Sequence, residues 1–268
     1  AGMTVTDTVV GWGLGAPAGN VRVNSLVGTF RMHPDCASSH LTQNRTIIVY
    51  LPPSYDASAE RYPVLFMQDG QNLFDRATGF GGNEWEMDET AERLIREKKI
   101  EPIIIVGIYN TSARMTEYTP VGATPSPGRS GDDYTQFVIE ELKPFIDRTY
   151  RTRPGRDDTA IAGSSLGGLI SLGMALSHPD VFSKAGVVSP SLFWNDGQLL
   201  KEVARVAPGG SLARVKFWVD IGTREQALSA GDSVITAVRN TRRLIDEFRR
   251  AGLTQGKEYF YLEVLDGQ

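Results

Sequence analysis

Apolar residues fall along this chain in two kinds of run. The first kind is short and nearly continuous: Arg45–Leu51, Pro63–Met67, Ile103–Ile108, Ala185–Ser189, Val215–Ile221 and Tyr259–Leu265. Each is bounded by Pro, Gly, Asn, Asp or Ser, and each predicts a strand. Pro63–Met67 and Ile103–Ile108 lack polar alternation, which predicts burial on both faces, as in a parallel sheet. The second kind recurs at helical spacing. Asp88–Lys98 carries Ala91, Leu94 and Ile95 on one side. Asp132–Asp147 carries Tyr134, Phe137, Val138, Leu142, Phe145 and Ile146. A helix from about Asp232 to Ala251 carries Val234, Val238, Leu244, Ile245 and Phe248, with Gly252 as its stop. Residues 1–19 are rich in Gly and Ala and read as a loose lead-in. Asn20–Met32 reads as an edge strand or two.

Strands and helices alternate from residue 63 onward, which predicts an α/β fold with a mostly parallel sheet and helices on both faces. The chain reads as one domain over residues 1–268. In such sheets ligands bind beyond the carboxyl ends of the strands. Four loops fall there: Gln68–Asn72, Asn110–Ser130, Ser165–Gly168 and Gly222–Glu225. The long one, with Pro120, Pro125 and Pro127, is of a length that usually serves function.

Composition narrows the classes. A net charge of -4 argues against nucleic acid as a partner. No apolar run approaches the ~20 residues that span a bilayer. Cys36 is the sole cysteine, so no internal disulfide is possible. No signal peptide is visible, and the compartment stays open, with the cytoplasm favoured over secretion. No Cys/His cluster has metal spacing, so neither metal nor cofactor is expected. Oligomeric state is not written in the sequence.

The candidate chemistry centres on Gly163-Ser164-Ser165-Leu166-Gly167. An apolar strand enters this Gly-x-Ser-x-Gly pentapeptide and an apolar helix, Leu169 onward, leaves it. That is the context of a nucleophile elbow, with Ser165 as nucleophile. One oxyanion donor would be the Leu166 N–H, at a helix start where N–H groups are free. The other would come from the loop after Pro63–Met67, where Gly70 lets the Gln71 N–H turn inward. The acid should follow the serine at a later strand end. Glu225 lies in a loop that reaches the site; Asp220, within its strand, is the alternative. The base is the difficulty. His33 and His40 precede the first clear strand, and His178 stands before Pro179, ~18 Å along the helix from Ser165. None follows the acid.

Several stretches together resemble the putative-esterase branch of the α/β-hydrolases, which includes enterochelin-type, feruloyl and acetyl-xylan esterases and S-formylglutathione hydrolases. They are Val49–Tyr55, Met67–Asp75, Asn83-Glu84-Trp85, Gly107–Asn110, Arg114–Thr119, Gly163–Gly168, Ser189-Pro190-Ser191 and Gly222–Glu225. The resemblance implies an α/β-hydrolase fold with Ser165 as nucleophile, Glu225 as acid, and the Gln71 and Leu166 backbones as oxyanion hole. It also implies a histidine just after Gly267-Gln268, following a strand like Tyr261–Leu265. The expectation is therefore a chain that stops before its base and before a final helix, and is impaired by itself. Trp85, Arg114, Tyr118 and Trp194 are candidate substrate contacts; Arg114 and Glu117 could instead pair to hold their loop.

The expected function is that of a serine carboxylesterase working through an acyl-enzyme on a small-molecule or carbohydrate ester, acetylated or feruloylated. The alternatives are a siderophore-ester hydrolase and a non-catalytic binding protein of hydrolase fold.

Overall fold

The computed structural model describes residues 24–119, 130–224 and 234–265. The strands are β1 (Thr29–Cys36), β2 (Arg45–Leu51), β3 (Val64–Gln68), β4 (Ile104–Ile108), β5 (Thr159–Ser164), β6 (Lys184–Val188), β7 (Lys216–Gly222) and β8 (Tyr259–Val264). They form one sheet in the order β1-β2-β4-β3-β5-β6-β7-β8. β2 is antiparallel to both β1 and β4; every other pairing is parallel. The chain therefore winds outward in both directions from β3, and the carboxyl ends of β3, β5, β6, β7 and β8 share one edge.

The helices are α1 (Met87–Arg96), α2 (Arg114–Glu117), α3 (Gly131–Gln136), α4 (Lys143–Thr149), α5 (Leu166–Ser177), α6 (Trp194–Val206) and α7 (Val234–Arg250). Alternation along β2 shows how they are layered. Ile47, Val49 and Leu51 face the larger core, with Tyr134 of α3, Ile146 of α4, Leu169 of α5, Val203 of α6 and Phe248 of α7. Ile48 and Tyr50 face a smaller core with Phe30, Met67, Phe74 and Ala91 of α1. Helices thus lie on both faces, as a period of two along each strand requires.

Three elements depart from the sequence reading. The edge strand lies later than Asn20–Met32, at Thr29–Cys36, because only Phe30 of it is buried and its polar half imitates a loop. The Asp132–Asp147 helix is continuous but passes through a π-helical turn at Phe137–Leu142 between α3 and α4. α6 was not foreseen. It opens with Asn195, Asp196 and Gly197 in left-handed conformation, so its start reads as a turn.

Candidate active site

β5 delivers the chain to Ser165, whose φ of 56° and ψ of -121° lie outside the ordinary wells of an L-residue. Such a conformation costs about 1–3 kcal/mol and must be held by its surroundings. Three backbone bonds hold it. The Ser165 N–H donates to Val188 O at 3.0 Å, and its carbonyl accepts from Leu169 and Ser191 at 3.0 and 3.1 Å. The glycines are there because the turn is tight. A Cβ on Gly163 would meet the Gly167 backbone at 2.7 Å, and one on Gly167 would meet Gln68 Cβ at 3.0 Å. Leu166 then opens α5, so its N–H has no acceptor in the first helical turn.

The loop after β3, read from the sequence as the source of an oxyanion donor, is built on Asp69. This residue is buried and left-handed, with φ 55°, and it launches the short turn Gly70–Asn72. Its carboxylate accepts from Arg114 Nε and Nη2, both at 2.7 Å, and from Asn110 Nδ2 at 2.5 Å. Its N–H donates to the Tyr118 hydroxyl at 3.1 Å. Gly70 presses on β4, where a Cβ would meet Gly107 C at 2.5 Å. The Gln71 side chain accepts the Asn110 N–H at 3.2 Å. The loop also packs closely on the elbow, where a Cβ on Gly167 would meet Asp69 Oδ2 at 3.3 Å.

Ser165 Oγ stands 3.0 Å from Ser191 Oγ. Ser191 is buried and arrives by a turn after β6, in which Ser189 has a φ of 40° and donates its N–H to Asp220. The arrangement is a hydroxyl on a strained turn, at a helix start, beside a rigid loop of backbone donors. Chemically it suits attack on an acyl carbon with stabilisation of the oxyanion.

Comparison with known proteins agrees with this geometry. The model of the Esterase family, described as "Putative esterase", matches residues 38–266. The chain belongs to that family. It is similar to the ferri-bacillibactin esterase BesA of Bacillus subtilis, 31% identical over 61% of this chain and 60% of that one. It is also similar to an endo-1,4-beta-xylanase/feruloyl esterase of Xylanibacter ruminicola, 30% identical over 54% of this chain and 19% of that one. Among solved structures, an IroE-like serine hydrolase from Shewanella oneidensis superposes with a TM-score of 0.70 at 22% identity, over 89% of this chain and 74% of that one. The chain is a carboxylic ester hydrolase with an α/β-hydrolase fold.

The esterase places the other foreseen residues unevenly. Arg114, its side chain 27% exposed, has its guanidinium forked onto Asp69. Burial pulls its pKa down, but the bonds to Asp69 and that charge prevail, and the net shift is upward. Tyr118 is fully buried, so it exposes no surface, and its hydroxyl backs the loop after β3 by accepting the Asp69 N–H. Burial, and then the neighbouring Tyr134, hold its hydroxyl well above the usual phenol range, so it stays neutral. Nor do Arg114 and Glu117 pair with each other; Glu117 is held by Arg45 at 2.9 Å, with both side chains fully buried. Trp85 is 39% exposed and donates its N–H to Asn72, next to Gln71. Trp194 donates its N–H to Ser191 O and is partly buried against the larger core.

Asp220 lies inside β7, where its carboxylate accepts from Ser189 N and from Trp218 Nε1 at 3.2 and 2.8 Å. Glu225 and Gln268 lie outside the described residues. The three histidines stand away from Ser165, and β1 and the β1–β2 connection lie four and three strands across the sheet from β5. His33 is on β1 against Tyr150, His40 pairs with Glu140, and His178 caps the far end of α5. The sequence reading missed Asp69 as the hub, and it missed Ser191. The only signal for either was its place in the quoted motifs Met67–Asp75 and Ser189-Pro190-Ser191.

Proposed function

We propose that Ser165 is the nucleophile of an acyl-enzyme mechanism. Its Oγ attacks the ester carbon while a histidine takes the proton. The carbonyl oxygen, now negative, is held by the N–H groups of Gln71 and Leu166. The alcohol leaves with the proton that the histidine returns, and water releases the acid by the same steps. Glu225 orients the histidine, which stands on the loop that follows β8. What supports this pairing is the junction of the last two strands. The Thr223 N–H donates to Val264 O at 3.0 Å, so the loops leaving β7 and β8 start side by side. Asp220 is the weaker candidate for the acid, because two donors already occupy its carboxylate. The observation that carries the proposal is the strained conformation of Ser165, which has no structural use in an idle serine.

The substrate is an acyl ester of a carbohydrate, acetylated or feruloylated. Among the described residues, Arg114 beside the loop after β3 is paired with Asp69, which weakens its pull on an acidic siderophore. A siderophore ester is the second reading, favoured by the 31% identity with a ferri-bacillibactin esterase. The test uses the full-length protein. Wild type should hydrolyse p-nitrophenyl acetate and take up a fluorophosphonate probe, and Ser165→Ala should lose the label and about 10⁴–10⁶ in kcat. Wild-type protein that neither labels nor turns over would sink the mechanism and leave a binding protein. Relative kcat/KM on methyl ferulate, acetylated xylo-oligosaccharide and a siderophore trilactone decides the substrate.

A further inference from the structure

A second constellation lies at the start of α1, outside the site described above. Glu84, Asp88 and Glu89 each bring a carboxylate oxygen to within 4.8 Å of the others. The group is not a solvated acidic patch. Asp88 is fully buried and the Glu84 side chain is 1% exposed. Their outer oxygens are engaged. Asp88 Oδ2 accepts the Val27 N–H at 2.7 Å, and Glu84 Oε1 accepts from Ser25 Oγ at 2.7 Å and Arg76 Nε at 3.1 Å. The remaining oxygens, Glu84 Oε2, Asp88 Oδ1 and Glu89 Oε2, are buried and without a hydrogen-bond partner. Ionised carboxylates cannot donate to one another, and like charges at this range repel. Burial first, and then a hydrogen bond with Glu89, push the Asp88 carboxyl up to about 8, so without a cation the trio must hold a proton between them. Among the described residues no cationic side chain pairs with Asp88 or Glu89.

We propose that Glu84, Asp88 and Glu89 bind a divalent cation of the calcium type. Three carboxylates are a hard, all-oxygen donor set, which selects Ca²⁺ or Mg²⁺ over softer metals. Ca²⁺ holds oxygen at about 2.3–2.6 Å in a flexible shell, which suits donors no more than 4.8 Å apart. Mg²⁺ demands near-ideal octahedral geometry and gives up its waters reluctantly, which suits three carboxylates on a fixed helix start less well. Water fills the remaining coordination positions. The ion would clip three segments: the lead-in at Ser25–Val27, the loop descending from the oxyanion turn, and α1. That loop is tied to the turn, because Trp85 N donates to Asn72 O at 2.9 Å and Met87 N to Leu73 O at 3.1 Å. The cation is therefore a structural clip one loop away from Gln71, not a participant in ester cleavage.

The test is a melt of EDTA-stripped, dialysed full-length protein with and without CaCl₂. Calcium at about a hundredfold over its Kd should raise Tm by about 5–10 °C. Tb³⁺, a luminescent stand-in for Ca²⁺, should be sensitised through neighbouring Trp85 and displaced by Ca²⁺. Asp88→Asn and Glu89→Gln should each fold without added metal and lose both responses. Wild type with no calcium shift and no terbium signal overturns the proposal and makes the trio a set of carboxyls sharing protons. An unchanged shift in both variants overturns it too. An equal shift with MgCl₂ overturns the calcium assignment.

Discussion

Asp69 shows how one residue can organise a site without touching substrate. Its carboxylate is fixed by a bidentate guanidinium and an amide, its N–H by a buried phenol, and its left-handed backbone sets the direction of Gly70 and Gln71. Arg114→Met removes the fork and leaves a buried carboxylate half-paired. The loop relaxes, and a displacement of about 1 Å at an oxyanion donor costs on the order of 10² in rate. The expected outcome is a fall of about 10–100-fold in kcat with KM within about twofold, measured on p-nitrophenyl acetate. Arg114→Lys should recover only part of the rate, because an ammonium supplies charge but not the planar fork. An unchanged kcat in Arg114→Met would remove Asp69 from the oxyanion machinery. The sequence made Gly163, Ser165 and Gly167 legible, because a tight turn admits few residue types at fixed spacing. It hid Asp69, whose partners Asn110 and Arg114 lie 41 and 45 residues away.

At the scale of elements, legibility followed burial. β2 runs over the same seven residues that the apolar run marked, and β3 and β4 fall within about a residue of theirs, because strands at the centre of a sheet must be apolar on both faces; β8 is as well marked although it is an edge strand with one face exposed. The π-turn at Phe137–Leu142 left no trace, since one extra residue per turn barely disturbs an apolar face. Near it sits the Arg45–Glu117 pair, which ties β2 to α2, with the guanidinium 5.2 and 5.0 Å from the rings of Tyr134 and Phe137. Both charges are fully buried, so neither can be solvated when its partner is lost. Glu117→Gln should cost about 3–5 kcal/mol in urea unfolding, far above the zero to about 1 kcal/mol expected of a surface pair. A loss below about 1 kcal/mol would mean that water reaches the pair. The same element bears on catalysis, because α2 begins at Arg114 and carries the fork that holds Asp69.

The sheet as a whole is covered unevenly. Over β7 and β8 the larger core is closed by α7, with Phe217, Val219 and Tyr259 buried beneath Leu244, Ile245 and Phe248. On the opposite face Trp218, Phe260, Leu262 and Val264 are 47, 46, 48 and 42% exposed, and Trp218 stacks on Phe260 at 6.4 Å. Side chains alternate along a strand, so these four belong to one continuous stripe, and no helix among the described residues lies over it. A contiguous apolar patch differs physically from scattered surface leucines: it binds amphiphiles and drives association. The chain should therefore enhance the fluorescence of 1-anilinonaphthalene-8-sulfonate in its native state, before any unfolding. Leu262→Thr with Val264→Thr puts β-branched residues at both positions of β8 and removes the apolar centre of the stripe. That double variant should lose most of the dye signal while its unfolding free energy in urea falls by no more than about 0.5 kcal/mol per site, as expected of surface substitutions. A large loss of stability would show instead that the stripe is buried in solution, and equal dye binding in both proteins would locate the dye elsewhere. The outcome matters for the site, because Val264 accepts the Thr223 N–H at the edge where the chain leaves β7 and β8. Whatever covers or bares this stripe also sets how firmly that edge is held.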